Sequence, residues 1–343
     1  MTACTSPRVT SLAAALLLGL SGCGGGGGGQ DASNTGTLTL GLTDGPVDNA
    51  LEVVVAFTGI ELKPAGGPPM EPIVMDATAC DDFDQATGTC SINLLDLVGT
   101  QRRVVFSEGL PAGDYQWIRL LVDAERDGMT SYIRTMDGRM CSLWTPSGSE
   151  TGLKIVSGIT VTANGVSDYT LDFDVRKSIT NPPGQANPDQ QCADNYLLKP
   201  AIRIVDSTEV GAIAGTVDES LLTADQSCVL GQSGTYDHVA VYVFDNPDGD
   251  TVADDLDGDA GDALTSASVL WNDTEQSYDY EVGFLLAPGS YHLGLTCTAD
   301  ADDPALDDYD PDSQEDQAFH FVSERSVDVA VDETADGSFS SSQ

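Results

Sequence analysis

Short apolar segments that alternate with period two, each closed by a Gly-, Pro-, Asn- or Asp-bearing break, run through this sequence from Thr37 almost to its end. In Thr37-Leu38-Thr39-Leu40-Gly41-Leu42-Thr43 the three leucines fall on one face of a strand, and Asp44-Gly45-Pro46 then stops it. Segments of the same kind lie at 51–62, 91–97, 103–106, 115–122, 130–136, 154–162, 169–175 and 196–205. Beyond Glu209 they recur at 211–217, 238–244, 267–271, 277–284, 291–298 and 327–331. Asn164-Gly165 between two of them predicts a hairpin with a type I′ turn, which needs positive φ at both positions. No stretch carries a sustained 3.6-residue period with caps. The chain is therefore expected to be all-β, with one β-sandwich over 36–206 and a second over 209–343. Its 343 residues fit two domains at roughly 150 residues each.

The N-terminal segment reads as an address. Arg8 precedes an apolar run over 12–20, and nine residues cover only about 14 Å of a bilayer core of about 30 Å. That is a signal-peptide core, not a membrane span. It ends in Leu20-Ser21-Gly22-Cys23, which resembles the bacterial lipobox. The resemblance implies that 1–22 is a lipoprotein signal peptide and that the Cys23 thiol takes a diacylglycerol. The acylated Cys and Gly-rich linker would then occupy 23–35 and tether the protein to the membrane by lipid alone. Gly24, where an inner-membrane lipoprotein would carry Asp, is similar to Gram-negative lipoproteins of the outer membrane, on its periplasmic face or at the cell surface. Ordinary cleavage beside an incidental Cys is the alternative.

With Cys4 in the signal and Cys23 acylated, six cysteines remain: Cys80, Cys90, Cys141, Cys192, Cys228 and Cys297. An even number in an exported chain points to disulfides, and sequence order favours 80–90, 141–192 and 228–297 among the possible pairings. No C-x-x-C spacing suggests a metal site instead.

Leu110-Pro111-Ala112-Gly113-Asp114-Tyr115 is echoed by Leu286-Ala287-Pro288-Gly289-Ser290-Tyr291, each ahead of an alternating strand. Both read as turns with the Tyr ring set into a core. Together with Gly36-Thr37-Leu38, Leu42-Thr43-Asp44-Gly45-Pro46, Asp172-Phe173-Asp174 and Leu198-Lys199-Pro200, the first motif resembles domain-of-unknown-function family 4382 of bacterial lipoproteins, over about 36–206. That likeness implies an immunoglobulin-like or transthyretin-like sandwich on a lipid tether and carries no catalytic residue. Gly215-Thr216-Val217, Val239-Ala240-Val241-Tyr242-Val243-Phe244 and the second motif resemble a carboxypeptidase-regulatory or collagen-adhesin B-type module. A long acidic insertion departs from that pattern, and no Lys after Lys199 can serve an internal isopeptide bond.

Charge is unevenly spread. The formal net charge is −41, of which 1–208 carry −11 and 209–343 carry −30, with Arg325 the one base in the latter. Phosphate backbones would be repelled, so nucleic acid is not an expected partner. Within the acidic half, Asn246, Asp248, Asp250, Asp254 and Asp257 place oxygen side chains at positions 1, 3, 5, 9 and 12, and the Val252 carbonyl falls at 7. This spacing is that of an EF-hand-type or thrombospondin type-3-type calcium loop. Thr251 replaces the usual Gly at position 6, and Asp257 is shorter than the usual Glu; Asp245 and Asp255 could substitute as ligands. A solvated acidic loop is the competing reading. The run Asp308-x-Asp310-x-Asp312 lacks an oxygen at its position 12, Phe319.

Hydrolase signatures, G-x-S-x-G, H-E-x-x-H and S-x-x-K with its companions, are missing, as is a phosphate-binding glycine loop ahead of a helix. His238, His292 and His320 fall in or beside strands, and Trp117, Trp144 and Trp271 read as core. The sequence thus points to a non-enzymatic, lipid-anchored envelope or surface protein with a binding, adhesion or scaffold role toward a protein or polysaccharide, with calcium as its possible cofactor. A carbohydrate-binding module and an uncharacterised hydrolase are the alternatives.

Overall fold

The computed structural model describes residues 34–45, 50–146, 152–180, 195–199, 201–256, 261–304, 306–310 and 317–341. Cys23, Cys192 and Asp257 lie outside the described residues. Asn34–Gln343 form one compact unit.

The strands assemble into four sheets. In the first half, Ile202–Asp206, Val166–Asp174, Thr35–Gly45 and Arg103–Pro111 lie side by side in that order. A ten-stranded sheet built around Gly113–Val122, Ala50–Pro64 and Tyr132–Thr135 packs against them. Leu38, Leu40 and Leu42 meet Val53, Val55, Phe57, Ile118 and Leu120 in the core between the sheets. The all-β reading is borne out, and period-two alternation places these leucines inside for the reason it suggested.

The second half repeats the plan. Thr35–Gly45 lies between antiparallel Arg103–Pro111 and parallel Val166–Asp174. Val210–Val217 likewise lies between antiparallel Ser277–Leu286 and parallel Thr334–Asp336. In each half the antiparallel neighbour turns a corner into the opposite sheet, where the next strand pairs with the second strand of that half. The echoed hexapeptides are those corners. The Tyr115 hydroxyl donates to the Pro111 carbonyl at 2.8 Å, and the Tyr291 hydroxyl to the Leu286 carbonyl at 2.5 Å. Each ring is buried, and each hydroxyl satisfies a carbonyl left without a ladder partner where the chain changes sheet.

Asn164-Gly165 does not close a hairpin. It carries the chain from Ile159–Val161 in the larger sheet to Val166–Asp174 in the smaller one, and only Asn164 takes a positive φ, 56°. The stretch 196–205 splits into Tyr196–Leu198 and Ile202–Asp206, in different sheets; Pro200, with no N–H to give a ladder, stands between them. The segment 91–97 is strand only as far as Thr89–Asn93, then winds into the 3₁₀ turn Leu94–Leu97. Cys80 is bonded to Cys90 and Cys228 to Cys297, and Cys141 is also in a disulfide. Among the described residues no helix is long and apolar enough to cross a membrane.

Two features position the acidic half. Ala240–Asp245 is buried on both faces: Val241 and Val243 join the sandwich core, while Ala240, Tyr242 and Phe244 form a second small core with Ala253, Leu256, Ala263, Ala299 and Phe319. Apolar residues of the acidic segments thereby cover the outer face of the sheet. Gly294 permits this, since a Cβ there would sit 2.6 Å from the Phe321 ring and 3.0 Å from Ala253. The second feature is a peg from the first half, the single helical turn Val175–Ser178. Its Arg176 is 6% exposed; Nε donates to Ser266 Oγ at 3.0 Å and Nη1 to the Ala299 carbonyl at 3.2 Å. The guanidinium lies 5.5 Å from the Tyr242 ring centroid, and Lys177 Nζ donates to the Ala263 carbonyl.

Candidate metal centre in the acidic half

Of the calcium-loop residues, Asn246, Asp248, Asp250, Val252 and Asp254 are described. Asn246 is buried, and its amide is spent inside the protein: Oδ1 accepts from the Thr251 N–H at 3.1 Å and Nδ2 donates to Ser326 Oγ at 3.1 Å. Asp248, Asp250 and Val252 are exposed. Asp254 accepts from the Asp255 N–H at 3.1 Å, and Asp257 lies outside the described residues.

A different set converges. Asp255 comes from the first acidic segment, Asp302 and Asp308 from the second, and ligand oxygens of all three lie within 4.8 Å of one another. The apolar neighbours of each, Leu256 and Ala301, are drawn onto the outer face of the sheet, and this brings the two segments together. Asp302 Oδ2 accepts from the Tyr242 hydroxyl at 2.6 Å and Oδ1 from the Leu256 N–H at 3.2 Å. Asp255 Oδ2 accepts from the Asp308 N–H, and Asp308 Oδ2 from the Asp303 N–H at 2.9 Å.

Asp255 is 1% exposed and Asp302 9% exposed. Burial pushes the Asp255 carboxyl up to about 7, and the neighbouring Asp302 and Asp254 charges act in the same direction against the Asp308 N–H. Burial likewise raises Asp302 to about 6, opposed by the Tyr242 hydroxyl, the Leu256 N–H and Arg176. Asp255 and Asp302 at this spacing cannot both ionise in a partly dry site unless positive charge joins them. A proton can do this, or a hard cation can. The donor set is oxygen only and anionic, the chemistry that calcium or magnesium takes, and the remaining positions of a six- to eight-fold shell would fall to water or main-chain carbonyls. Sequence spacing could not reveal a set whose members stand 47 residues apart; the visible signal was the unbroken apolar run Val239–Phe244, which demands a cover on both faces.

The histidines stand apart from this centre. His292 Nε2 lies 2.7 Å from Glu324 Oε2 and Nδ1 3.4 Å from Ser326 Oγ, a cross-strand trio on the same sheet face. His238 faces Asp300 at 3.8 Å and His320 faces Asp225 at 3.6 Å. None lines the cleft of about 250 Å³ that Val98 and Gly99 of the first half form with Tyr280 and Glu281 of the second. The tryptophans are half-buried rather than fully buried; Trp271 packs against the second-half core, as expected, whereas Trp117 and Trp144 belong to no core cluster among the described residues. Arg119 and Lys154 stack on Trp117, Arg126 stacks on Trp144, and Trp271 packs beside Tyr278 with ring centroids 4.9 Å apart.

Residues 35–200 match the family described as Domain of unknown function (DUF4382). No curated protein matches the chain in sequence. Among solved structures, the chain is similar to the crystal structure of "a putative adhesin from Bacteroides ovatus ATCC 8483", at 10% identity over 81% of this chain and 82% of that one, with a TM-score of 0.18.

Proposed function

We propose that this chain, a DUF4382 domain followed by an acidic β-sandwich, is a non-enzymatic, lipid-anchored envelope or surface protein with a binding, adhesion or scaffold role, whose acidic half is braced by a bound divalent cation, calcium foremost. The observation that carries the metal part is the convergence of Asp255, Asp302 and Asp308 from two separate acidic segments onto one partly buried point. A cation there would tie the segments to each other and, through Asp302 and Tyr242, to the sheet beneath. The anchoring part rests on the lipobox-like Leu20-Ser21-Gly22-Cys23.

Millimolar calcium is expected to raise the melting temperature by several degrees in the native chain and in Asp248→Ala/Asp250→Ala. The Asp255→Asn/Asp302→Asn variant should show no such rise. No calcium effect, or one that survives in Asp255→Asn/Asp302→Asn, would falsify the metal part. Mass spectrometry of the membrane fraction should find diacylglycerol on Cys23, and Cys23→Ser should release the protein from that fraction. The cations stacked on Trp117 and Trp144 weigh against sugar stacking on those rings, so the carbohydrate-binding reading is second.

A further inference from the structure

The cleft of about 250 Å³ where the two halves meet takes no part in the candidate metal centre. One wall is the turn at Val98 and Gly99, which follows the 3₁₀ turn Leu94–Leu97 of the first half. The second half supplies the rest, chiefly Ala267 and Leu270 with Asp279 and Glu281 of the strand Ser277–Leu286. Val98, Ala267 and Leu270 make the walls apolar, and Leu270 is 65% exposed. A Cβ on Gly283 would lie 2.7 Å from the Gly99 carbonyl oxygen, so turn and strand are pressed backbone to backbone and the cleft is preformed.

The charged groups of the cleft are both acidic. Glu281 is exposed, and its carboxylate makes no hydrogen bond or ion pair among the described residues. It lies beside Gly99, where the cleft meets a small gap lined by Thr265 and Ser266. Asp279 accepts from Ser277 Oγ at 2.6 Å and Asn272 Nδ2 at 2.7 Å; both donors are neutral and leave its charge in place. The bases around the cleft are committed elsewhere. Arg102 pairs with Asp168, Arg103 with Asp81, and Arg203 with Asp172 at the gap. Arg176, which reaches Ser266 behind the gap, acts on the Asp174 and Asp302 carboxyls. Arg325 donates to the Ser338 carbonyl and acts on Asp336.

We infer that this cleft receives a lysine side chain presented by a partner protein. The aliphatic stem of a lysine would cover Val98, Ala267 and Leu270 while its ammonium meets Glu281. An uncharged occupant would take water from the Glu281 carboxylate and return nothing, and an anionic one would be repelled. The volume falls below the range of about 300–1,000 Å³ in which pockets enclose whole small molecules, and suits one long side chain. The partner's main chain has a place beside it. Leu270–Asn272 ends its sheet and, among the described residues, pairs only with Ser277–Leu286, so its other side is open to an added extended segment. The −30 charge of residues 209–343 draws a basic partner toward this half. The inference goes beyond the lipid and cation parts of the function proposed above and needs neither.

The test follows the methyl resonances of Val98, Ala267 and Leu270 in the full chain during titration with acetyl-Thr-Lys-Thr-amide. They should shift saturably, while the methyl of Ala301 in the second acidic segment stays in place. Norleucine in place of the lysine, Glu281→Gln, or about 0.5 M salt should each weaken binding about threefold or more. Glu281→Gln should keep the native melting temperature, since the carboxylate holds nothing inside the protein. n-Butylamine, which has the stem and the ammonium without a peptide backbone, should bind more weakly than the tripeptide. No shift at about 20 mM peptide overturns the inference, as does binding indifferent to norleucine or to Glu281→Gln. Shifts spread evenly over the acidic segments would reduce it to diffuse charge attraction and overturn it too. Butylamine binding as tightly as the tripeptide would overturn the assignment to a protein partner.

Discussion

Asp255 shows what tertiary context does to one side chain. On a solvated loop it would ionise near 4; buried beside Asp302 and Asp254 it is pushed up to about 7. Between those values the folded state holds more protons than the unfolded one, so stability falls as pH rises through that window. Asp302, raised to about 6, adds to the same trend. Carboxylates shifted the other way, such as Asp218 and Asp336 held low by N–H and hydroxyl groups of Ser220 and Ser338, lose their contribution only as pH drops toward and below 4. In chelator the melting temperature should therefore decline from pH 5 to pH 8, and excess calcium should flatten the decline. Asp255→Asn should melt higher than the native chain at pH 8 in chelator, yet gain nothing from calcium. A native chain whose melting temperature rises over that interval in chelator would contradict the electrostatics of the cluster.

At the scale of the elements, the two corners argue for a shared structural device. Each Tyr fills its core and returns its hydroxyl to a carbonyl at the sheet crossing. Tyr115→Phe and Tyr291→Phe should each cost about 1 kcal/mol in denaturant unfolding, since each removes one part-buried hydrogen bond while the ring stays. Gly294→Ala should cost about 1–3 kcal/mol by overpacking against Phe321, and should loosen the cover formed by the acidic segments. The alternating stretches were legible as strands because one face is buried and the other wet, as in Thr35–Gly45 with its Leu38, Leu40 and Leu42. What alternation did not show was which sheet a strand joins. Ile159–Val161 and Val166–Asp174 flank an Asn-Gly turn that has the residues of a hairpin, yet they pair with strands of different sheets. Turn chemistry fixes the local backbone, whereas pairing is chosen by the apolar faces that must meet across the sandwich.

Across the whole molecule, the halves are coupled by Arg176, whose guanidinium is buried among Ser266, the Ala299 carbonyl and the Tyr242 ring. Arg176→Ala should cost about 3 kcal/mol, because the acceptors around it lose a charged donor in a buried setting. By calorimetry it should separate unfolding into two transitions, one per half; an unsplit transition at the native temperature would argue that the peg is incidental. Loss of the Cys228–Cys297 bond, which closes a loop of 69 residues, should lower stability by about 4 kcal/mol on the loop-entropy model and affect the second transition. The sequence by itself determined the all-β class, the opening motifs of each half and the concentration of charge after Glu209, because these follow from local alternation, turn residues and composition. Only the tertiary structure decided which carboxylates meet. Asp255, Asp302 and Asp308 converge because Ala240, Tyr242 and Phe244 must be kept from water, and the apolar residues that cover them carry the acids along.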